Sequence, residues 1–227
     1  MTAHRSRLRV ATFNLHHCEG IDGKVDPGRA ARSVVSLEAD VIALQEIDRG
    51  LPRSDRVDQV AQLQQTTGHR FSFHATVQRA GGRYGIALGA REELDVEAVE
   101  LFTPSGLEPR AALVAEVSGV TVVATHLSRM KHRDVQERQL DTLAAIVTSS
   151  GGPLVMVGDL NRDAGDLGAL ASSGLVPAAT APTFPARAPK RQLDHILVSE
   201  GVEVDSGGSL QTEASDHLPL WADVFFR

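Results

Sequence analysis

Six short apolar runs constrain the fold more than any other feature of the chain: Leu8–Phe13, Val41–Leu44, Ala111–Val117, Val120–Thr125, Leu154–Val157 and Ile196–Val198. They are rich in β-branched residues and bounded by polar or turn-forming ones, the pattern of strands buried in a sheet. Segments with helical spacing lie between them. Asp26-Pro27 opens one as N-cap and first-turn proline, with Ala30, Ala31, Val34, Val35 and Leu37 forming its apolar side. Val60, Ala61, Leu63 and Gln64 predict a second over Asp58–Thr67, stopped by Gly68. Leu140, Leu143, Ala144 and Val147 predict a third from Asp134 to about Thr148, ended by Ser149-Ser150-Gly151-Gly152. A shorter helix is expected after Asp163, and the Ala- and Pro-rich stretch Val176–Arg191 reads as a loop. Mixed strands and helices without an internal repeat give the class α/β or α+β.

A chain of 227 residues can bury its core as one domain, and residues 1–227 are expected to form one. Its 42% hydrophobic and 23% charged residues exclude disorder over most of the length. The formal net charge of −6, without a long Lys/Arg block, means that a polyanion must be attracted by a local patch. The one cysteine, Cys18, excludes an intrachain disulfide and fits a reducing compartment. The basic N-terminus is not followed by the apolar stretch of a signal peptide, and no apolar run approaches the ~20 residues of a membrane span, so a cytoplasmic location is expected. No obligate protein partner is implied.

The predicted strands end repeatedly in residues that carry chemistry: Asn14, Glu46, His126, Asp159 with Asn161, and Asp194. Singly, each has a structural explanation as a turn, a cap or a solvated strand end. Together they offer hard oxygen ligands for Mg²⁺ or Mn²⁺ and imidazoles for proton transfer or phosphate stabilisation. The Cys/His spacing of a structural zinc site is absent.

The ordered motifs Thr12-Phe13-Asn14-Leu15, Leu44-Gln45-Glu46-Ile47-Asp48, Thr125-His126-Leu127-Ser128 and Gly158-Asp159-Leu160-Asn161 span most of the chain. Thr183-Phe184-Pro185, Gln192-Leu193-Asp194-His195-Ile196-Leu197-Val198-Ser199 and Ser215-Asp216-His217-Leu218-Pro219 complete them. This series resembles the endonuclease/exonuclease/phosphatase family, which includes DNase I-like nucleases, abasic-site endonucleases, inositol polyphosphate phosphatases and neutral sphingomyelinases. The resemblance implies two packed mixed β-sheets flanked by helices, a four-layer DNase I-like sandwich, with the site where strand-terminal loops converge. It also implies a metal-dependent phosphoester hydrolase using one or two Mg²⁺ or Mn²⁺ ions.

By the same resemblance, Glu46 is the principal metal ligand, Asn14 binds or orients that metal, and Asp216 is a further ligand. Asp159 orients or deprotonates the attacking water, and Asn161 positions that water or a phosphoryl oxygen; their spacing suits one extended segment. Asp194 and His217 form a carboxylate–histidine pair, and His126 donates to a phosphoryl oxygen. Arg110, Tyr84 and Arg53 are expected at the substrate mouth. His195, following Asp194 on a strand, should face away from it. Many relatives carry Tyr-Gly-Asn-Ala followed by Leu-Ser-Arg, whereas this chain reads Tyr84-Gly85-Ile86-Ala87-Leu88-Gly89-Ala90-Arg91.

The expected substrate is phosphorylated, either a small-molecule diester or monoester or a nucleic acid. A DNase-like or abasic-site endonuclease is the alternative, and Arg129, Lys131, His132 and Arg133 form the one notable basic cluster for it. With 4% aromatic residues the chain offers little for base stacking. No amphipathic or apolar segment suggests a lipid surface. A catalytically silent binding module on the same fold would lack Glu46, Asp159 or His217, and all three are present.

Overall fold

The computed structural model describes residues 5–227. The expected runs all form strands: β1 (Ser6–Asn14), β2 (Val41–Arg49), β6 (Arg110–Val117), β7 (Val120–His126), β8 (Leu154–Asp159) and β10 (Asp194–Val198). Six further strands complete two sheets: β3 (Arg70–Arg79), β4 (Gly82–Ala90), β5 (Glu97–Leu101), β9 (Val176–Pro177), β11 (Glu203–Ser209) and β12 (Leu220–Phe226). The sheet orders are β11-β12-β1-β2-β4-β3 and β5-β6-β7-β8-β10-β9. The stretch read as a loop from Val176 thus begins with a two-residue edge strand that pairs with β10.

Each sheet has one parallel pair at its centre, β1 with β2 and β7 with β8. Parallel neighbours need a crossover. Helix α1 (Pro27–Ser36) supplies the first, with Asp26 accepting from the Arg29 N–H as N-cap. Helix α3 (Arg133–Ser149) supplies the second. Helix α2 (Gln59–Thr67) is capped by Asp58 and ended by Gly68 in the left-handed conformation, and α4 is the short turn Ala169–Ser172.

Strand alternation separates three apolar clusters. Val10, Val41, Ala43, Val122, Ala124, Val155, Val157 and Ile196 face the space between the sheets. Phe13, Ile42, Leu44 and Ile47 pack outward with Val34 of α1 and Leu63 of α2. Val123, Met156 and Leu197 pack outward with Leu140 and Leu143 of α3. The result is the four-layer DNase I-like α/β sandwich. Each fully buried Leu, Ile or Val contributes roughly 1.5–3 kcal/mol by removal from water.

Two departures from the family's sequence pattern have packing explanations. Ile86 joins the inter-sheet cluster. A Cβ on Gly89 would lie 2.4 Å from the Phe71 ring, so the serine found there in relatives would require that ring to move.

Candidate active site

Alternation along the strands also aims the functional side chains. Asn14 has the parity of inward Val10; His126 that of Val122 and Ala124; Asp159 that of Val155 and Val157; and Asp194 that of Ile196. Each therefore continues the inter-sheet face past its last apolar rung. Because parallel strands end at the same edge, Asn14, His126 and Asp159 close β1, β7 and β8 at one rim. Register aligns His126 with Asp159 and Asp159 with Asp194 across three adjacent strands.

Glu46 reaches this rim by a different device. Leu44 pairs with Ala87 but Ile47 pairs with Gly85, so Gln45 and Glu46 together oppose Ile86. This β-bulge changes the parity of β2, leaving Ile42, Leu44 and Ile47 all on the helix side. Glu46 takes a left-handed φ of 59° at the bulge, and its Oε1 accepts from Asn14 Nδ2 at 3.3 Å.

Asn14 Nδ2 also donates to Asp159 Oδ2 at 3.0 Å, while its Oδ1 accepts from the His16 N–H. Asp159 Oδ1 accepts from the Asn161 N–H at 2.8 Å. Asn161 is not on an extended segment with Asp159, as their spacing suggests: its φ is 52°. The chain turns back on the Asp159 carboxylate, and Asn161 Nδ2 donates to the Leu127 carbonyl while lying 3.3 Å from His126 Nε2. Burial pushes the Asp159 carboxyl well above its ordinary value and the Asp194 charge adds to this, against the opposing effects of His217 and Asn14.

His217 Nδ1 lies 2.8 Å from Asp194 Oδ2, and its Nε2 is 4.0 Å from Asp159 Oδ2. Burial works against the charged imidazole, but the Asp194 carboxylate outweighs it and raises the His217 pKa to about 10. The motif around Thr183 builds this pair. Thr183 Oγ1 accepts from the N–H groups of Leu193 and Asp194, its carbonyl accepts from Leu218, and the Phe184 ring lies 4.9 Å from the imidazole. Ser215 Oγ donates to the Asn14 carbonyl and accepts from the His217 N–H, tying the turn before β12 to the end of β1.

His126 is fully buried, and burial together with the Arg110 charge holds its pKa well below the ordinary value. A donor faces each ring nitrogen, Arg110 Nη1 at 3.3 Å from Nδ1 and Asn161 Nδ2 at 3.3 Å from Nε2. Nε2 also faces Asp159 Oδ2 at 3.6 Å and Glu46 Oε1 at 4.0 Å. Arg110 is thus a buried support of His126 that is also paired with Glu108.

Arg53, Tyr84 and Arg110 line one cavity with Glu46. The Arg53 guanidinium lies over the Tyr84 ring at 5.2 Å and makes two 2.8 Å hydrogen bonds to fully buried Asp48. Asp216 sits at the rim, its Oδ1 3.8 Å from His16 Nδ1. His195 is buried with Nε2 2.9 Å from the Arg162 carbonyl, as core. Arg129, Lys131 and His132 line the cavity, but Arg133 turns to Asp166 in a two-bond ion pair.

Sequence reasoning missed the residues that hold the loops. Gln136 and Gln139, fully buried on the inner face of α3, bind the Ser128 carbonyl, N–H and hydroxyl. Arg162, fully buried, clamps the loop after β8 through Glu137 and Asp166. The only available signal was two glutamines three apart on a face that is otherwise apolar.

The donor set fits a hard divalent cation. Asp159, Asp194 and His217 each offer one ligand atom within 4.8 Å of the others, and Asp194 Oδ1 is buried without a hydrogen-bond partner. Glu46 adds carboxylate oxygens on the other side of Asp159, beside Asn14, whose Nδ2 faces both carboxylates.

A sandwich of two mixed sheets with carboxylates, imidazoles and amides gathered at one rim defines the DNase I-like class. The chain belongs to the Endonuclease/Exonuclease/phosphatase family, whose model matches residues 11–217. An endonuclease/exonuclease/phosphatase from Beutenbergia cavernae is similar in structure, with TM-score 0.78 and 23% identity over 97% of this chain and 72% of that one. A family protein from Bacteroides thetaiotaomicron has TM-score 0.78 and 18% identity over 99% and 100% of the two chains. A mannosyl-6-phosphatase from Bacteroides thetaiotaomicron has TM-score 0.75 and 17% identity over 96% and 100%. No curated protein sequence matches the chain. Among the described residues, no helix is long and apolar enough to cross a membrane.

Proposed function

We propose that this chain is a divalent-metal-dependent phosphoester hydrolase in which Asp159 activates water for in-line attack on phosphorus. The observation that carries the reading is the single row His126–Asp159–Asp194 across adjacent strands, flanked by Glu46 with Asn14 on one side and His217 on the other. Six strand ends or turns converge there on one small volume, beyond what core packing requires.

Asp159 is the general base. Its Oδ1 is held by the Asn161 N–H and its Oδ2 by Asn14, so its orientation is fixed while burial raises its affinity for the proton it must accept. Water loses a proton to Asp159 as its oxygen bonds to phosphorus, and the bond from phosphorus to the departing alkoxide breaks on the opposite side. Charged His217, held by Asp194, donates from Nε2 to a phosphoryl oxygen as negative charge develops. Neutral His126 offers a second N–H when its proton is on Nε2, the nitrogen that faces Asp159 and Glu46. Glu46, oriented by Asn14 Nδ2, with Asp216 at the rim, would hold Mg²⁺ or Mn²⁺, which supplies Lewis-acid stabilisation of the phosphoryl oxygens.

The test is a panel of plasmid DNA, a chromogenic phosphodiester, phosphomonoesters and inositol phosphates, assayed with Mg²⁺, Mn²⁺ or EDTA. Hydrolysis is expected only with metal, and Asp159→Asn should lower kcat by roughly 10²–10⁴-fold while the fold is retained. Full activity of Asp159→Asn, or turnover undiminished by EDTA, would overturn the mechanism.

A further inference from the structure

Beside the catalytic row lies a cavity of about 250 Å³. Its lining carries four cations, Arg53, Arg110, Arg129 and Lys131, against two carboxylates, Glu46 and Glu108. The chain as a whole has a formal net charge of −6, so this concentration of positive charge is local and opposes the overall balance.

The cations are not equally committed. Arg53 is neutralised by buried Asp48. Arg110 is nine-tenths buried, uses Nη1 on Glu108 and His126, and leaves its Nε buried without a partner. Among the described residues, neither Arg129 nor Lys131 has a carboxylate oxygen within the 4.0 Å that defines an ion pair, whereas the neighbouring Arg133 is fully engaged by Asp166. His132, also on the cavity wall, is the N-cap of α3 and makes no side-chain capping hydrogen bond. The wall is built to stay in place, because Gln136 and Gln139 pin Ser128 immediately before it. Unpaired cations on the wall of one cavity are suited to an anion, which forms charge-assisted hydrogen bonds with Arg129 and Lys131.

We propose that this cavity is a second-phosphate subsite. The substrate is then a small molecule that carries, beside the ester cleaved at Asp159, another phosphate seated between Arg110 and residues 129–132. This rests on the hydrolase reading above and narrows its substrate class. Duplex DNA fits less well, since successive backbone phosphates need a track of cations, and these are gathered in one small cavity.

The experiment compares adenosine 3′,5′-bisphosphate with adenosine 3′- and 5′-monophosphates, fructose 1,6-bisphosphate with fructose 1-phosphate, bis(p-nitrophenyl) phosphate, and a duplex oligonucleotide. Each is assayed with Mg²⁺ for the wild type and for the exposed-side-chain double variant Arg129→Met/Lys131→Met. The wild type should prefer at least one bisphosphate over its monophosphate partner. The double variant should lose roughly 30-fold or more in kcat/KM on that bisphosphate, the effect of removing two charge-assisted contacts, and less than about 3-fold on bis(p-nitrophenyl) phosphate. In parallel, calorimetry with inorganic pyrophosphate on the metal-free protein should show Kd weakened at least about tenfold by the double substitution. Equal losses on both substrate types, unchanged pyrophosphate binding, or a duplex preferred over every bisphosphate would overturn the subsite. Absence of hydrolysis on every substrate would instead reject the hydrolase reading, and the pyrophosphate titration would still decide whether the subsite exists.

Discussion

The left-handed backbone at Glu46 gives a sign test that needs no metal and no substrate. An L-residue with a Cβ pays about 1–2 kcal/mol in this region, a cost glycine escapes. Glu46→Ala and Glu46→Gly remove the same carboxylate and the same 3.3 Å contact with Asn14, so their difference isolates the backbone. At an ordinary strand position the glycine variant would be the less stable by roughly 0.5–1 kcal/mol, because it loses more entropy on folding. At φ 59° the strain term opposes and exceeds that loss, and Glu46→Gly should be the more stable by about 0.5–1 kcal/mol. In a chain of this size that corresponds to roughly 1–4 °C in Tm. The measurement is urea and thermal unfolding of both variants in EDTA, with far-UV dichroism as the probe. If Glu46→Ala equals or exceeds Glu46→Gly, the bulge is not strained and the account of how Glu46 reaches the rim is wrong. Both variants should be inactive in the hydrolase assay, since neither retains the carboxylate.

Two further outcomes follow from packing and burial. A Cβ at Gly85 would meet the His74 carbonyl oxygen at 1.9 Å, so Gly85→Ala should destabilise by more than roughly 2 kcal/mol; an unchanged urea midpoint would refute the close β3–β4 approach. His69 and His195 are each nearly inaccessible, with Nε2 2.9 Å from a backbone carbonyl, and burial holds both pKa values below 6.5. The unfolded chain binds these protons more readily, so their contribution is intact above pH 6.5 and is lost as pH falls through 6.5 towards the folded-state values. Stability should decline by up to about 1.4 kcal/mol per pH unit for each histidine. His69→Gln, which keeps a donor for Ala39, should flatten the urea-midpoint profile between pH 7 and 5, and an unaltered slope would show that His69 titrates normally.

What the sequence revealed and concealed divides by burial. Strands buried on both faces read as continuous apolar runs, and all six appear where expected. Strand β11, Glu203-Val204-Asp205-Ser206-Gly207-Gly208-Ser209, is an exposed edge with no apolar pattern, and nothing local distinguishes it from a loop. The sequence shows Asn14, His126, Asp159 and Asp194 at the ends of strands, and their parity with Val10, Val122, Val155 and Ile196 puts them on the inter-sheet face once that face is known. The same rule applied to β2 misplaces Glu46, because Leu44-Gln45-Glu46-Ile47 has no glycine to announce the bulge. The turn at Asn161 was equally hidden, although Asn tolerates a left-handed φ better than most residues. Arg162, Gln136 and Gln139 were unreadable for another reason: a buried polar residue is recognisable only by its partners, and Glu137, Asp166 and Ser128 become partners only when β7, α3 and β8 are assembled.

These features share one physical origin. A face that is apolar through Val157 and Ile196 becomes ionic one rung later, at Asp159 and Asp194, so the carboxylates are desolvated by the core that fixes them. The surrounding residues offset this only partly: Asn14 and the Asn161 N–H satisfy Asp159, His217 satisfies one oxygen of Asp194, and the other is left without a partner. A site completed entirely by its own residues would leave no donor or acceptor for a ligand. Here an unmet acceptor, Asp194 Oδ1, lies among the carboxylates, and Arg129 and Lys131 stand, among the described residues, without an ion-pair partner on the cavity that Glu46 also lines. That polarity fits a cation on one side and an anion on the other, the two charges that a metal ion and a phosphorylated substrate bring together.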